Sequence, residues 1–286
     1  MSRVYFITGA SSGFGAELAR VALKRGDRVV LTARRVDMLN AIAADYPDSA
    51  LPLAFDIMDA SARANAVRDA LARFGRIDVL ANIAGRGSVG AAEEFTPVQL
   101  REQMELNFFA AAELTRAVLP VFRQQGSGHV LQLTSIGGQV AIGGFAPYCA
   151  SKFALEGWSE ALRDEVAPFG IKVTIVEPGA FRTEFAGGTV MQAEERIEAY
   201  RPLTAPLDSY LMDSDGKQLG DPVKAAKAMI AVVESDTPPL RLILGQDAYT
   251  IWDSKREAMA ADVQSWREVG IDTALEGAEL TPIGGR

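Results

Sequence analysis

Tyr148 and Lys152 stand four residues apart in YCASK, and Ser135 precedes the tyrosine by thirteen. A phenol with an unperturbed pKa of about 10 and a charged amine do little proton chemistry separately. On one helix face, where positions i and i+4 lie, the ammonium favours the phenolate and the tyrosine becomes a competent acid or base. A serine at the end of a strand can donate to a substrate oxygen and stabilise its negative charge. Together these groups suit interconversion of a ketone and an alcohol, in which the hydride comes from a cofactor. Each also has a plainer reading, as a turn-forming serine or an exposed helix pair. Asn107, inside a helical stretch, would alone be a mildly unfavourable surface residue. Thr134 rivals Ser135, but the spacing to Tyr148 favours Ser135. His129, the only histidine, begins a strand and reads as structural or solvated, which leaves no Ser-His-Asp hydrolase to build.

Such residues need a frame that brings distant segments to one place. RVYFIT (3–8) is an apolar, β-branched and aromatic run that stops at a glycine-rich turn, and 15–26 has helical apolar spacing. Strand-like runs recur at 27–35, 50–56, 77–85, 129–135, 171–179 and 239–245, with helical segments between them. Strands apolar on both faces that alternate with helices predict a doubly wound parallel α/β sheet, Rossmann-like and in three layers. The spacing predicts long helices over 97–123 and 148–168. No low-complexity linker or short repeat interrupts the chain, so one domain is expected over 1–286. Two segments depart from the alternation: 184–222, rich in Pro, Gly, Met and Tyr, where substrate specificity is expected, and a helical extension over 248–286 that reads as an added cap.

TGASSGFG sets Gly9, Gly13 and Gly15 between the first strand and the first helix. Glycines let the backbone approach a pyrophosphate, and the helix N-terminus attracts it. There is no Walker-type lysine, which argues against a nucleoside triphosphate. At the end of the second strand an acid would bind a ribose diol, whereas an arginine would pair with a 2′-phosphate. The chain reads LTARR there, so Arg34 and Arg35 favour NADP(H). Asp56 could accept from an adenine amino group or cap the next helix.

Composition is that of a globular protein and argues against disorder and against a fibrous or membrane protein: 286 residues, 48% hydrophobic and 23% charged. The net charge of -8 argues against nucleic acid as a partner. A single cysteine, Cys149, allows no intramolecular disulfide and no cysteine cluster for zinc. No apolar run approaches the roughly 20 residues of a membrane span, and no secretory leader is expected, so the chain reads as cytoplasmic.

TGASSGFG, Asp56, NIAG (82–85), Asn107, Ser135, YCASK (148–152) and PGAFRT (178–183) occur in order. Taken together they resemble the short-chain dehydrogenase/reductase family, in its single-domain branch. The resemblance implies a phosphate loop of Gly9, Ser11, Gly13, Phe14 and Gly15, with Ser12 where some NADP-using relatives carry a second basic residue. It implies Arg34 as the basic residue of NADP preference, Asp56 and Ile57 beside the adenine, and Asn82, Ala84 and Gly85 along the adenosine ribose edge. Pro178, Gly179, Phe181 and Thr183 would bracket the nicotinamide. Ser135, Tyr148 and Lys152 would be the catalytic triad, completed by Asn107, with Lys152 also holding ribose hydroxyls. The loop 137–145 and Phe185, Met191, Tyr200, Leu203, Leu207, Tyr210, Leu211 and Met212 offer apolar walls for a bulky carbonyl or alcohol. A homodimer through the two long helices is implied. Two other classes share such a frame: an epimerase or dehydratase, and an NADPH-binding sensor without turnover. The intact serine, tyrosine and lysine argue against the sensor.

Overall fold

A computed structural model describes residues 2–185, 189–214 and 216–279. The first half runs β1 (Val4–Thr8), α1 (Gly13–Lys24), β2 (Arg28–Ala33), α2 (Val36–Ala43), β3 (Ala50–Ala54), α3 (Ala60–Phe74) and β4 (Val79–Asn82). Next come β5 (Ser88–Val89), α4 (Pro97–Met104), α5 (Ala110–Gln125), β6 (Gly128–Leu133), α6 (Ala146–Val166) and β7 (Ile171–Pro178). The remainder is β8 (Met191–Gln192), α7 (Arg201–Ser214), α8 (Pro222–Glu234), β9 (Arg241–Leu244), α9 (Gln246–Ser265) and α10 (Arg267–Ile271).

Seven strands form one parallel sheet in the order β3-β2-β1-β4-β6-β7-β9. Alternation along each strand feeds two cores. Tyr5 and Ile7 of β1 pack with Leu18 of α1 and Met229 of α8 on one face. Val4 and Phe6 point the other way, to Ala70 of α3, Leu114 of α5 and Leu162 of α6. Each such large apolar side chain stabilises the fold by roughly 1.5–3 kcal/mol when fully buried. The expected doubly wound, three-layer sheet is therefore present, and its helices end where local chemistry directs. Asp59 caps α3 by accepting from Ser61 and Ala62 amides, and Gly75, at φ 76°, closes it in the left-handed region.

The chain moves outward from β1 to β3, then restarts at β4 on the other side of β1. The carboxyl ends of β1 and β4 diverge at this switch point, where open α/β sheets place their ligands. Gly9, Ala84, Ser135 and Gly179 all lie just beyond strand carboxyl ends.

Three features differ from expectation. The helix predicted over 97–123 is divided into α4 and α5 by a π turn, Glu105–Phe109. Segment 184–222 contains β8, which pairs with β5, and α7. The C-terminal helix begins at Gln246 and buries Ala248 against the body, while every described residue from 256 onward is exposed.

Candidate active site

Pro147 lies in the first turn of α6, a position that needs no amide donor, and the helix then carries Tyr148 and Lys152 one turn apart. Ser135 follows β6. Its hydroxyl accepts from the Gly137 amide at 3.0 Å and hydrogen-bonds the Tyr148 phenol. Gly137 lies between the two: a Cβ there would sit 3.1 Å from Tyr148 Cε1 and 3.3 Å from Ser135 Oγ. The glycine thus lets serine and tyrosine converge. Lys152 Nζ donates to the Leu133 carbonyl at 2.8 Å and lies 5.9 Å from the Tyr148 ring centre.

Asn107 occupies the π turn. The wider turn carries its carboxamide to Arg86, accepting from the amide and donating to the carbonyl, both at 3.0 Å, and it also donates to Ser151 Oγ. Asn107 Oδ1 and Lys152 Nζ both approach Gly85, at 3.1 and 3.5 Å from where its Cβ would be. The four residues predicted to act together are therefore neighbours.

Electrostatics qualify one expectation. Burial pushes the Tyr148 phenol up to about 12, against a lowering by the Ser135 hydrogen bond. Burial also brings Lys152 down to about 8, offset in part by the charge of Glu156. In the protein by itself the ammonium faces the Leu133 carbonyl, and desolvation outweighs any help it gives the phenolate.

At the nucleotide end, Gly9 and Gly13 have φ of 67° and 53°, the left-handed backbone that glycine adopts without strain. A Cβ on Gly15 would meet the Gly9 carbonyl oxygen at 2.4 Å, so the turn closes only with glycine there. Ser12 caps α1 without a side-chain hydrogen bond, and the first turn has no acid, which leaves the helix N-terminus fit for an anion. Arg35 reaches this loop, donating to Ser11 Oγ at 3.2 Å and Ser12 Oγ at 2.9 Å, and it pairs with Glu184 at 3.0 Å. Arg34 is exposed. The arginine at the loop is thus Arg35, where the resemblance pointed first to Arg34. Glycine turn, open helix end and cation together fit a dinucleotide phosphate.

Other predicted residues divide. Asp56 is exposed two residues beyond β3 and accepts from the Met58 amide at 3.0 Å; Asp59, rather than Asp56, caps the helix. Ile57 is buried in the core beside it. Ala84 packs on Gly9, and its amide donates to Thr8 Oγ1. Asn82, expected along the ribose edge, instead turns its amide group into the core, donating to Ala111, Thr115 and Gln132. Pro178 ends β7, Gly179 packs on Asp247, the Phe181 ring lies 5.2 Å from that of Phe14 in a tilted contact, and Thr183 covers Gly13.

On the open side, the Phe185 ring lies 5.6 Å from the Tyr148 ring, and Leu203 and Leu207 of α7 pack on Gly143 and Gly144. Met191 pairs with Ser88 in the small ladder, and Leu211 is buried. Tyr200 hydrogen-bonds Glu93, while Tyr210 and Met212 are exposed. His129 is buried against Thr174 and held neutral, its pKa brought down to about 3 by desolvation. Glu156, four residues beyond Lys152 on the same helix, carried a spacing signal that the sequence reading passed over, whereas Asp247, Glu177 and Arg241 reach the site's loops only through the fold.

A glycine-bounded phosphate cradle at the switch point, next to a half-buried serine and tyrosine and a buried lysine, defines a nucleotide-binding oxidoreductase frame. The family of short chain dehydrogenases matches residues 3–194. The chain belongs to that family, whose members are oxidoreductases that bind a nicotinamide cofactor. It is 36% identical over 275 residues to oxidoreductase BOA17 of Botryotinia fuckeliana, covering 96% of this chain and 100% of the relative. It is 34% identical over 249 residues to a 3-ketodihydrosphingosine reductase of Bacteroides thetaiotaomicron, covering 85% of this chain and 88% of the relative. Among solved structures, a short-chain dehydrogenase from Streptomyces avermitilis superposes with a TM-score of 0.90 at 45% identity, covering 96% of this chain and 100% of that one. No helix among the described residues is long and apolar enough to cross a membrane.

Proposed function

We propose that the chain is an NADP(H)-dependent ketoreductase and alcohol dehydrogenase for bulky apolar substrates. The observation that carries this reading is the convergence of Ser135 and Tyr148 across Gly137, with Lys152 one turn behind and Phe185 on the open side. When bound, the nicotinamide supplies the hydride to the carbonyl carbon, or takes it in the reverse direction. The Ser135 hydroxyl donates to the substrate oxygen, and Tyr148 delivers its phenolic proton as that oxygen becomes an alkoxide. A phenol at about 12 is fully protonated at neutral pH and so serves as the acid of reduction. Lys152 holds ribose hydroxyls, and with Asn107 links the phenol to solvent. Gly9, Gly13 and Gly15 admit the pyrophosphate to α1, and Arg35 pairs with the 2′-phosphate, with Arg34 beside it.

Phe185, Leu203 and Leu207 give the substrate side its apolar character. The name of the Bacteroides relative specifies a ketone on a long alkyl chain, which agrees with such walls. Exposed Phe109, after α4, and Phe153 of α6 leave an apolar face suited to a second copy, supporting a homodimer. The test follows NADPH absorbance against 9,10-phenanthrenequinone, decalones and long-chain 3-keto amines. Wild type should turn over at least one of them, with Tyr148→Phe reduced at least 100-fold. Equal rates in the two proteins would overturn the assignment.

A further inference from the structure

The stripe of α6 that carries Tyr148 and Lys152 continues to Glu156 and Glu160 at the same spacing. Glu156 is buried, with 4% exposure, and the proton chemistry above makes no use of it. One oxygen accepts from Thr134 Oγ1 at 2.6 Å; the other accepts from Gln139 Nε2 at 3.1 Å and Arg241 Nε at 3.3 Å. Its stem lies on Gly138, where a Cβ would sit 2.9 Å from Glu156 Cγ. Thr134 immediately precedes Ser135, and Gly138 and Gln139 end the turn that Ser135 begins. A single carboxylate thus grips both ends of the serine's turn.

The groups around it fix its charge. Lys152 is one helical turn before it and Glu160 one turn after. Gln139 faces it from the turn after β6, Glu177 from β7 and Arg241 from β9. Glu177 is wholly buried, and one of its oxygens has no hydrogen-bond partner among the described residues. Desolvation and the neighbouring Glu156 carboxylate hold Glu177 up at about 8. It therefore stays mostly protonated at neutral pH. Burial pushes Glu156 up as well, but hydrogen bonds from Thr134, Arg241 and Gln139 and the Arg241 charge work against that rise, so Glu156 is the better-stabilised anion of the pair. Arg241 is shared between Glu156, Glu177 and Glu160, the last at 2.6 Å. The negative charge left nearest Lys152 on the helix is that of Glu156.

We propose that Glu156 is a positioning residue for the reaction: it clamps both ends of the turn that carries Ser135 and sets its charge one helical turn behind Lys152, with Glu177 and Arg241 fixing its orientation. The proposal rests on the reading of Ser135, Tyr148 and Lys152 given above. Two consequences are separable. Losing the charge lets Lys152 shed its proton at lower pH; losing the grip lets Ser135 wander from the substrate oxygen.

Glu156→Gln keeps volume and an acceptor for Thr134 but removes the charge. Its alkaline limb in kcat/KM for NADPH-dependent reduction of 9,10-phenanthrenequinone should move down by about one pH unit, as removal of a neighbouring charge through an intermediate dielectric implies. Glu156→Asp restores charge on a shorter stem. Its limb should stay within about 0.3 unit of wild type while kcat falls roughly 10-fold at unchanged KM for the quinone. Reductive methylation of Lys152 against pH, quantified by mass spectrometry, reads the same lysine without turnover and should shift with Glu156→Gln by the same amount. Melting curves establish that each variant is folded; if Glu156→Gln is not, Glu156→Asp carries the test through its loss of kcat. Superposable pH profiles and methylation curves for wild type and Glu156→Gln, or a Glu156→Asp enzyme with wild-type kcat, would overturn the proposal. Failure of the underlying reading looks different: wild type without turnover, or an active Tyr148→Phe. The methylation curve still decides the charge role in that case.

Discussion

Arg35 and Arg34 are adjacent in sequence, yet the structure gives them unequal access to the phosphate loop, and that inequality can be measured. Both are exposed just beyond β2, but Arg35 spans Ser11, Ser12 and Glu184, and Arg34 makes no such contact among the described residues. A charge-assisted hydrogen bond to a phosphate contributes roughly 1.5–3 kcal/mol when well formed. The Arg35 side chain is 51% exposed, so solvent screening brings the expected loss on truncation to about 1–2 kcal/mol, or roughly 5- to 30-fold in affinity. Arg35→Ala should weaken NADPH by that factor and NADH by less than about 2-fold, with a smaller NADPH loss for Arg34→Ala. Glu184→Gln removes the carboxylate that competes for the same guanidinium and should tighten NADPH a few-fold, roughly 2- to 5-fold at low salt. Titration of the reduced nicotinamide's fluorescence, at two ionic strengths, gives all of these constants. Equal losses for NADPH and NADH in Arg35→Ala, or a larger NADPH loss in Arg34→Ala, would refute the assignment.

Two further outcomes concern stability. Asn82→Ala strips hydrogen bonds from Thr115 and Gln132 in the core, so it should destabilise by about 2–4 kcal/mol in denaturant unfolding, with little change in cofactor affinity. Glu177 has a folded pKa of about 8 against an ordinary 4.5. Between those values the folded chain keeps a proton that the unfolded chain has released, so stability falls as pH rises through the window. Glu177→Gln should flatten that fall, and an unchanged slope of unfolding free energy against pH would contradict the buried acid pair.

The sheet was legible because its strands are apolar on both faces and alternate with helices; six of the seven lie within the predicted segments, and β6 begins one residue earlier, at Gly128. Serine, tyrosine and lysine were legible because their spacing is fixed by one loop and one helix. The π turn at Asn107 was not, since its side-chain partners, Arg86 and Ser151, come from elsewhere in the chain. The same holds for Asn82. A strand-end asparagine reads alike whether its amide faces a ribose or α5, and only the packed helix decides. Arg34 and Arg35 differ by the partners that Arg35 finds on Ser11, Ser12 and Glu184, which residue type does not encode. The β5–β8 ladder joins segments about a hundred residues apart, each only two residues long, too short to show alternation.

Gly179 and Asp247 share one volume. A Cβ on the glycine would stand 2.3 Å from Asp247 Oδ2, and that same oxygen accepts from the Ala180 amide at 2.7 Å. The consequence is historical. A lineage that first gained a side chain at 179 would drive the carboxylate off its amide, and one that first lost the carboxylate would leave that amide without its acceptor. Each single step is a valley, and only the pair is a ridge. The two positions should therefore descend together, recording in the start of α9 a constraint imposed by the turn after β7.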